Sequence, residues 1–248
     1  MRIFLLSLVA LLVLIVIYDA VVIARALLRG SEVAANSTAY ERQTAEFQRA
    51  MLVVGDSTAV GTGASAATDS IAGRLAADFP RLRIDNLGTN GALTAAVDEQ
   101  LRNAPLERYD MVLIQVGGND ALRFTGADAL RAAIGEAVSL ASDLGEHVAV
   151  MSSGDLGAAP ALPWPLSRLF SWRSHIVRKV FSRTAAQSKA RYVDLFVDVE
   201  ADNPFLAEPD RYHARDGLHP SSAGYGAWYE TLREQLPLTD WLGRAVSR

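Results

Sequence analysis

The chain has 248 residues, half of them hydrophobic and 21% charged, which suits one substantial folded domain and not a disordered chain. Its 24 Lys+Arg against 28 Asp+Glu leave a net charge of −4, so it lacks the basic field with which nucleic-acid binders gather phosphates. The absence of Cys removes disulfide frameworks, Cys-ligated zinc, iron–sulfur clusters and thiol catalysis, and a multi-His metal centre would need most of the four His.

In chain order, residues 3–17 are Leu, Ile, Val, Phe and Ala broken only by Ser7, and the run resumes after Tyr18 and Asp19 as Ala20-Val21-Val22-Ile23. About 21 such residues at ~1.5 Å each cover the roughly 30 Å of a bilayer core. Ala24-Arg25-Ala26 has the small-x-small form of a cleavage site, but the run is long and Arg25 lies inside that site. The expectation is therefore an uncleaved N-terminal transmembrane anchor over residues 1–29, with a cleaved signal as its rival. Arg2 lies on one side and Arg25, Arg29 and Arg42 on the other, so the positive-inside rule leaves the direction open. Residues 30–48 are small and polar and read as a linker. Thr38 and Glu41 stand at capping-box spacing, which predicts a short helix over 40–50.

Beyond the linker, apolar runs alternate with helix-period segments. Strands are expected at 51–54, 82–87, 111–116, 148–151 and 192–195, and helices at 71–79, 93–103, 127–144, 175–188 and 223–236. This alternation predicts parallel βαβ units in a three-layer α/β/α sheet of flavodoxin-like order over residues 49–248. In such folds the ligand crevice lies beyond the carboxyl ends of the strands.

Polar clusters fall at those ends: Gly55-Asp56-Ser57-Thr58, Gly88-Thr89-Asn90-Gly91 and Gly117-Gly118-Asn119-Asp120, with Asp216-Gly217-Leu218-His219-Pro220 late in the chain. A serine becomes nucleophilic only beside a base, and the base needs an orienting carboxylate. Asp216 and His219 supply both. The Ser57 and Gly88 amides and the Asn119 side chain are candidate donors to an oxyanion. The set suffices for acyl transfer without a metal or cofactor.

These four blocks resemble those of the SGNH hydrolases, the GDSL-like esterases and lipases. Ser57 stands in Gly-Asp-Ser, Gly88 before Thr89-Asn90-Gly91, Asn119 in Gly-Gly-Asn-Asp, and His219 in Asp-Gly-Leu-His-Pro. The resemblance spans residues 50–236 and departs from the motif at Thr58, where Leu is usual, which bears on packing behind the nucleophile. It implies an exported Ser–His–Asp esterase, with Gly88 and Asn119 beside the Ser57 amide in the oxyanion hole. Such a domain would be periplasmic or extracellular on its anchor, or secreted if the segment is removed. The implied substrate is a small-molecule, lipid or acylated-glycan ester; the membrane is an expected partner only through the N-terminal helix, on which the resemblance is silent, and nucleic acid is excluded by the charge. An O-acetylesterase or acyltransferase acting on cell-envelope polysaccharide is the rival enzyme, and a silent glycan- or lipid-binding domain is the non-enzyme rival.

Each block alone reads more plainly as a turn or a helix cap; only the four in order point to chemistry. No Gly-Lys-Ser/Thr follows Gly61 and Gly63, and Ala59 breaks the Gly-x-Ser-x-Gly elbow, so neither a phosphate loop nor an α/β-hydrolase turn fits. Asp56 and Asp120 are expected to hold loops and not to act as acids. Residues 158–172, with Pro160, Pro163 and Pro165 among Leu162, Trp164, Leu166, Phe170 and Trp172, predict an irregular segment: a fold-back, or a lip for an acyl chain. Asp210 and His213 repeat the Asp-x-x-His spacing just upstream. His213 is passed over as the base because Arg211 and Arg215 flank it and would lower its pKa.

Overall fold

The computed structural model describes residues 2–44, 46–197 and 202–243. The first element, α1 (Arg2–Ala35), is one uninterrupted helix. From Phe4 to Ala35 it is long and apolar enough to cross a membrane, by length and composition. Before Asp19 the described side chains, Ile15 apart, stand exposed. From Asp19 onward a stripe of covered positions appears at Asp19, Ile23, Ala26, Gly30 and Val33, the spacing of one helical face.

The described residues 40–44 and 46–50 do not form the expected helix. Arg42 instead makes an antiparallel bridge to Ile84, and its guanidinium donates to the carbonyls of Ala76, Phe79 and Leu82. A side chain that satisfies three carbonyls at once outweighs a local capping preference.

Thereafter strands and helices alternate: β1 (Arg49–Gly55), α2 (Ser57–Val60), α3 (Ile71–Asp78), β2 (Leu82–Asn86), α4 (Val97–Arg102), β3 (Tyr109–Gln115), α5 (Gly118–Leu122), α6 (Ala127–Leu144), β4 (Gly145–Met151), α7 (Leu166–Ala186), β5 (Arg191–Val193), α8 (Pro204–Ala207), α9 (Pro209–Tyr212), α10 (Ser222–Gln235) and α11 (Leu238–Leu242). The strands pair in parallel in the order β2-β1-β3-β4-β5, with Met51 between Ile84 and Met111 and Leu113 beside Ala149. This is the expected three-layer α/β/α architecture. The segment after Pro165 corrects one expectation: α7 starts at Leu166, not near 175. Its prolines end at the N-cap, where no helical hydrogen bond is lost.

The pleat divides the strands between two cores. Leu52, Val54, Val112, Ile114, Val148 and Val150 face α4, α6 and α7, where Phe181 is fully buried. Met51, Val53, Met111, Leu113, Ala149 and Met151 face α3, α10 and α11, where Tyr225 is fully buried. Each such side chain contributes about 1.5–3 kcal/mol. A one-residue slip of any strand would exchange its two faces, so register is fixed and the strand ends stay aligned.

Candidate active site

The Ser57 turn begins where β1 runs out. Gly55 has φ +136, and a Cβ there would lie 1.8 Å from the Gln115 carbonyl oxygen, so only glycine fits. The Gln100 side chain clasps this residue, its Oε1 accepting from the Gly55 N–H at 2.6 Å and its Nε2 donating to the Gly55 carbonyl at 3.0 Å. Asp56 then caps α2. Its Oδ1 accepts from the Thr58 N–H at 2.8 Å and from the Thr58 hydroxyl at 2.7 Å. Thr58 thus does more than pack: its hydroxyl adds a second donor to a buried carboxylate. Burial still pushes the Asp56 carboxyl above its ordinary range, against both Thr58 bonds.

Ser57, the first residue of α2, meets the loop before α10. The His219 Nδ1–H donates to Asp216 Oδ2 at 2.5 Å, which leaves Nε2 to accept from the Ser57 hydroxyl at 2.9 Å. Asp216 Oδ1 accepts from the amides of Leu218 at 3.0 Å and His219 at 3.1 Å. Burial pushes the Asp216 carboxyl up, but the bond to His219, its charge and the two amides outweigh that and hold it below the ordinary value. Ser57, Asp216 and His219 are therefore brought together.

Asn119 lies at the start of α5 and donates to the Ala92 carbonyl at 3.1 Å, a bond that orients the amide and uses one of its two N–H groups. Gly88 is not brought to the site. Its N–H donates to Asn86 Oδ1 at 3.0 Å, and its Cα packs where a Cβ would meet Ala59 and the Val60 nitrogen. The residue missed is Gly91, which borders the same cavity as Ser57 and Asn119. Its amide, like that of Ser57, meets no acceptor among the described residues. The available signal was the Asn86-x-Gly88 spacing, which marks Gly88 as the residue turned back onto the asparagine. Asp120 holds the loop as expected, its Oδ2 accepting from the Thr94 N–H at 2.9 Å and the Thr94 hydroxyl at 2.7 Å.

His213 also reaches the cavity wall, but its Nδ1 pairs with the Pro209 carbonyl at 3.1 Å and its ring lies edge-on to Phe205. Burial lowers its pKa; Arg211 and Arg215, expected to do so, face Glu208 and Glu32 instead. The cavity itself holds about 980 Å³. In the 158–172 segment, Leu162 and Phe170 line it, whereas Trp164 is 68% exposed and stands outside. No group of three or more His, Asp or Glu able to hold a metal occurs among the described residues.

Comparison with known proteins bears on this arrangement. Residues 53–227 match the profile described as the GDSL-like Lipase/Acylhydrolase family. A GDSL-like esterase of Mycobacterium tuberculosis is 28% identical over 191 residues, 74% of this chain, and the chain spans 60% of that relative's length. Among solved structures, a lipolytic G-D-S-L family protein from Veillonella parvula is 17% identical with a TM-score of 0.59, over 75% of this chain and 96% of that one. A lipase/acylhydrolase from Enterococcus faecalis gives 24% and 0.56 over 75% and 95%. Axe2, an acetylxylan esterase from Geobacillus stearothermophilus, gives 20% and 0.53 over 78% and 96%. At these identities the solved structures speak to the fold.

Proposed function

The chain belongs to the GDSL-like lipase/acylhydrolase family, and from that premise we propose that it hydrolyses carboxylic esters through an acyl-enzyme. His219 Nε2 removes the Ser57 proton as Oγ attacks the acyl carbonyl, and Asp216 holds the imidazole in the tautomer that allows it. The resulting oxyanion takes hydrogen bonds from the Ser57 and Gly91 amides and the second N–H of Asn119. His219 then passes its proton to the leaving alkoxide. Water, deprotonated by the same ring, releases the acid and restores Ser57. The observation that carries this reading is the unbroken line Asp216–His219–Ser57 at 2.5 and 2.9 Å beside two amides without acceptors among the described residues.

In the same reading residues 49–248 form the catalytic unit and α1 is retained as its membrane anchor. Packing of the segment that cleavage at residues 24–26 would take away favours retention: Ile23 and Ala26 line the cavity, and Asp19 is buried. The test is a fluorophosphonate probe with a panel of p-nitrophenyl esters and acetylated sugars. Labelling at Ser57 and turnover of alkyl esters are expected. Labelling without turnover of any ester in water would favour an acyltransferase, and no labelling would leave a binding domain.

A further inference from the structure

We propose that α1 is itself a wall of the catalytic cavity, and that the substrate is an ester of a membrane lipid whose acyl chain enters from the bilayer along that helix. The inference rests on the hydrolase reading above and names its substrate class.

Ile23, Ala26, Gly30 and Ala34 line the same cavity as Ser57, Asn119 and His219. They lie three or four residues apart, on one face of one helix. At Gly30 the helix comes close enough to the relay that a Cβ would sit 3.7 Å from Asp216 Oδ2. The wall is therefore built from small residues where the chemistry occurs and from isoleucine farther down.

Length fixes the level of this wall relative to a membrane. The apolar run ends at Ile23, and Arg25 and Arg29 follow on the exposed side of the helix. From Arg2 to Arg25 the helix rises about 35 Å, close to one bilayer core of roughly 30 Å. Ile23 thus belongs both to the last turn of the span and to the cavity. Gly30 lies seven residues farther, about 10 Å along the axis, at the outer edge of the headgroup layer, so an ester bound there has been drawn up out of the hydrocarbon while its chain still reaches down toward it. An acyl group on Ser57 would point its chain down past Ala26 toward Ile23, and so toward the layer it came from.

Surfaces around the mouth agree. Leu162, Phe170 and Leu206 line the cavity, and Leu206 is also 44% exposed. Trp164, just before α7, and Trp172, between its lining residues Ser171 and His175, stand 68% and 57% exposed. Exposed tryptophans beside an apolar mouth suit the headgroup layer. A cavity of about 980 Å³ is also far larger than an acetyl group requires.

Because the chain has no cysteine, Ala26→Cys introduces a single thiol on this wall and Leu28→Cys a single thiol on the exposed side of α1. Each full-length variant, in phosphatidylcholine vesicles, is treated with a methyl or a dodecyl alkylphosphonofluoridate and then with N-ethylmaleimide. With the dodecyl group on Ser57, alkylation of the Ala26→Cys thiol should slow about tenfold relative to the methyl adduct, with Leu28→Cys unchanged. In parallel, Ala26→Trp should slow hydrolysis of a vesicle-embedded long-chain ester about tenfold more than it slows p-nitrophenyl acetate, the loss of roughly two CH₂ contacts. Equal alkylation under both adducts, or equal loss on both esters, would overturn the lipid route and leave the esterase intact. Failure of both reagents to label Ser57 would instead remove the hydrolase reading and the lipid route with it.

Discussion

Residues 210–213 and 216–219 carry the same Asp-x-x-His spacing within ten residues, and the fold uses them in opposite ways. In the first, Asp210 is exposed on α9 and the His213 N–H is already given to the Pro209 carbonyl at 2.9 Å. That helical bond keeps the two side chains apart, and the imidazole turns back onto the same carbonyl. In the second, Gly217 adopts φ +69 and the chain wraps around the Asp216 carboxylate, whose Oδ1 takes the next two free amides. The remaining oxygen then meets the His219 ring. Spacing brings a carboxylate and an imidazole near; whether the intervening amides are free decides whether they pair.

The comparison is broken most directly at the two rings. His219→Ala should lose on the order of 10⁴-fold or more in kcat on a short p-nitrophenyl ester, and adding Ser57→Ala should cost little further, because the two act as a unit. His213→Ala should stay within a few-fold; the reverse order in two folded variants would reassign the base. The carboxylates sharpen it next. Asp216→Asn should lose roughly 10³–10⁴-fold by presenting the wrong tautomer, whereas Asp210→Asn should be near wild type in the same assay. A smaller loss, roughly 10²–10³-fold in kcat with little change in KM, is expected for Asn119→Ala, since an oxyanion donor acts outside the relay.

The smallest effect concerns His213 and is read in stability. Its pKa lies below the ordinary His value because of burial, so the unfolded chain binds more protons as the pH falls through about 6.5. Wild-type Tm should therefore drop between about pH 7.5 and pH 5.5, and His213→Gln should flatten that drop. An unchanged slope in the variant would mean that another group carries the acid sensitivity.

The layers and strand order were legible because parallel strands buried on both faces leave uninterrupted runs such as Met111–Val116. The meeting of Ser57 with His219 and Asp216 was legible because the serine block follows the end of a strand and the Asp-x-x-His block stands just before the closing helix, where parallel topology brings the two together. Gly88 was misread because a glycine announces a turn, not the direction of its amide; Asn86 sets that direction. The helix over 40–50 failed for the opposite reason, since Arg42 answers to carbonyls some 34–40 residues away. The onset of α7 was missed because prolines were counted as breakers when the last of them stands at a helix start, where proline is at home.

The hydrogen bond from Ser57 to His219 spans 162 residues, and Gly55 at the Ser57 turn is clasped by Gln100 and packs against Gln115. Local bonds shape each half of the site, but only long-range contacts join the halves. During synthesis the N-terminal helix emerges first and β1 soon after, yet the serine remains an ordinary alcohol until the last fifth of the chain has been made and docked. The serine so described stays inert in the unfinished fold and becomes reactive only when the loop that carries His219 docks. In refolding, helical signal should accordingly return before esterase activity does, and the lag measures the docking of the loop that carries His219.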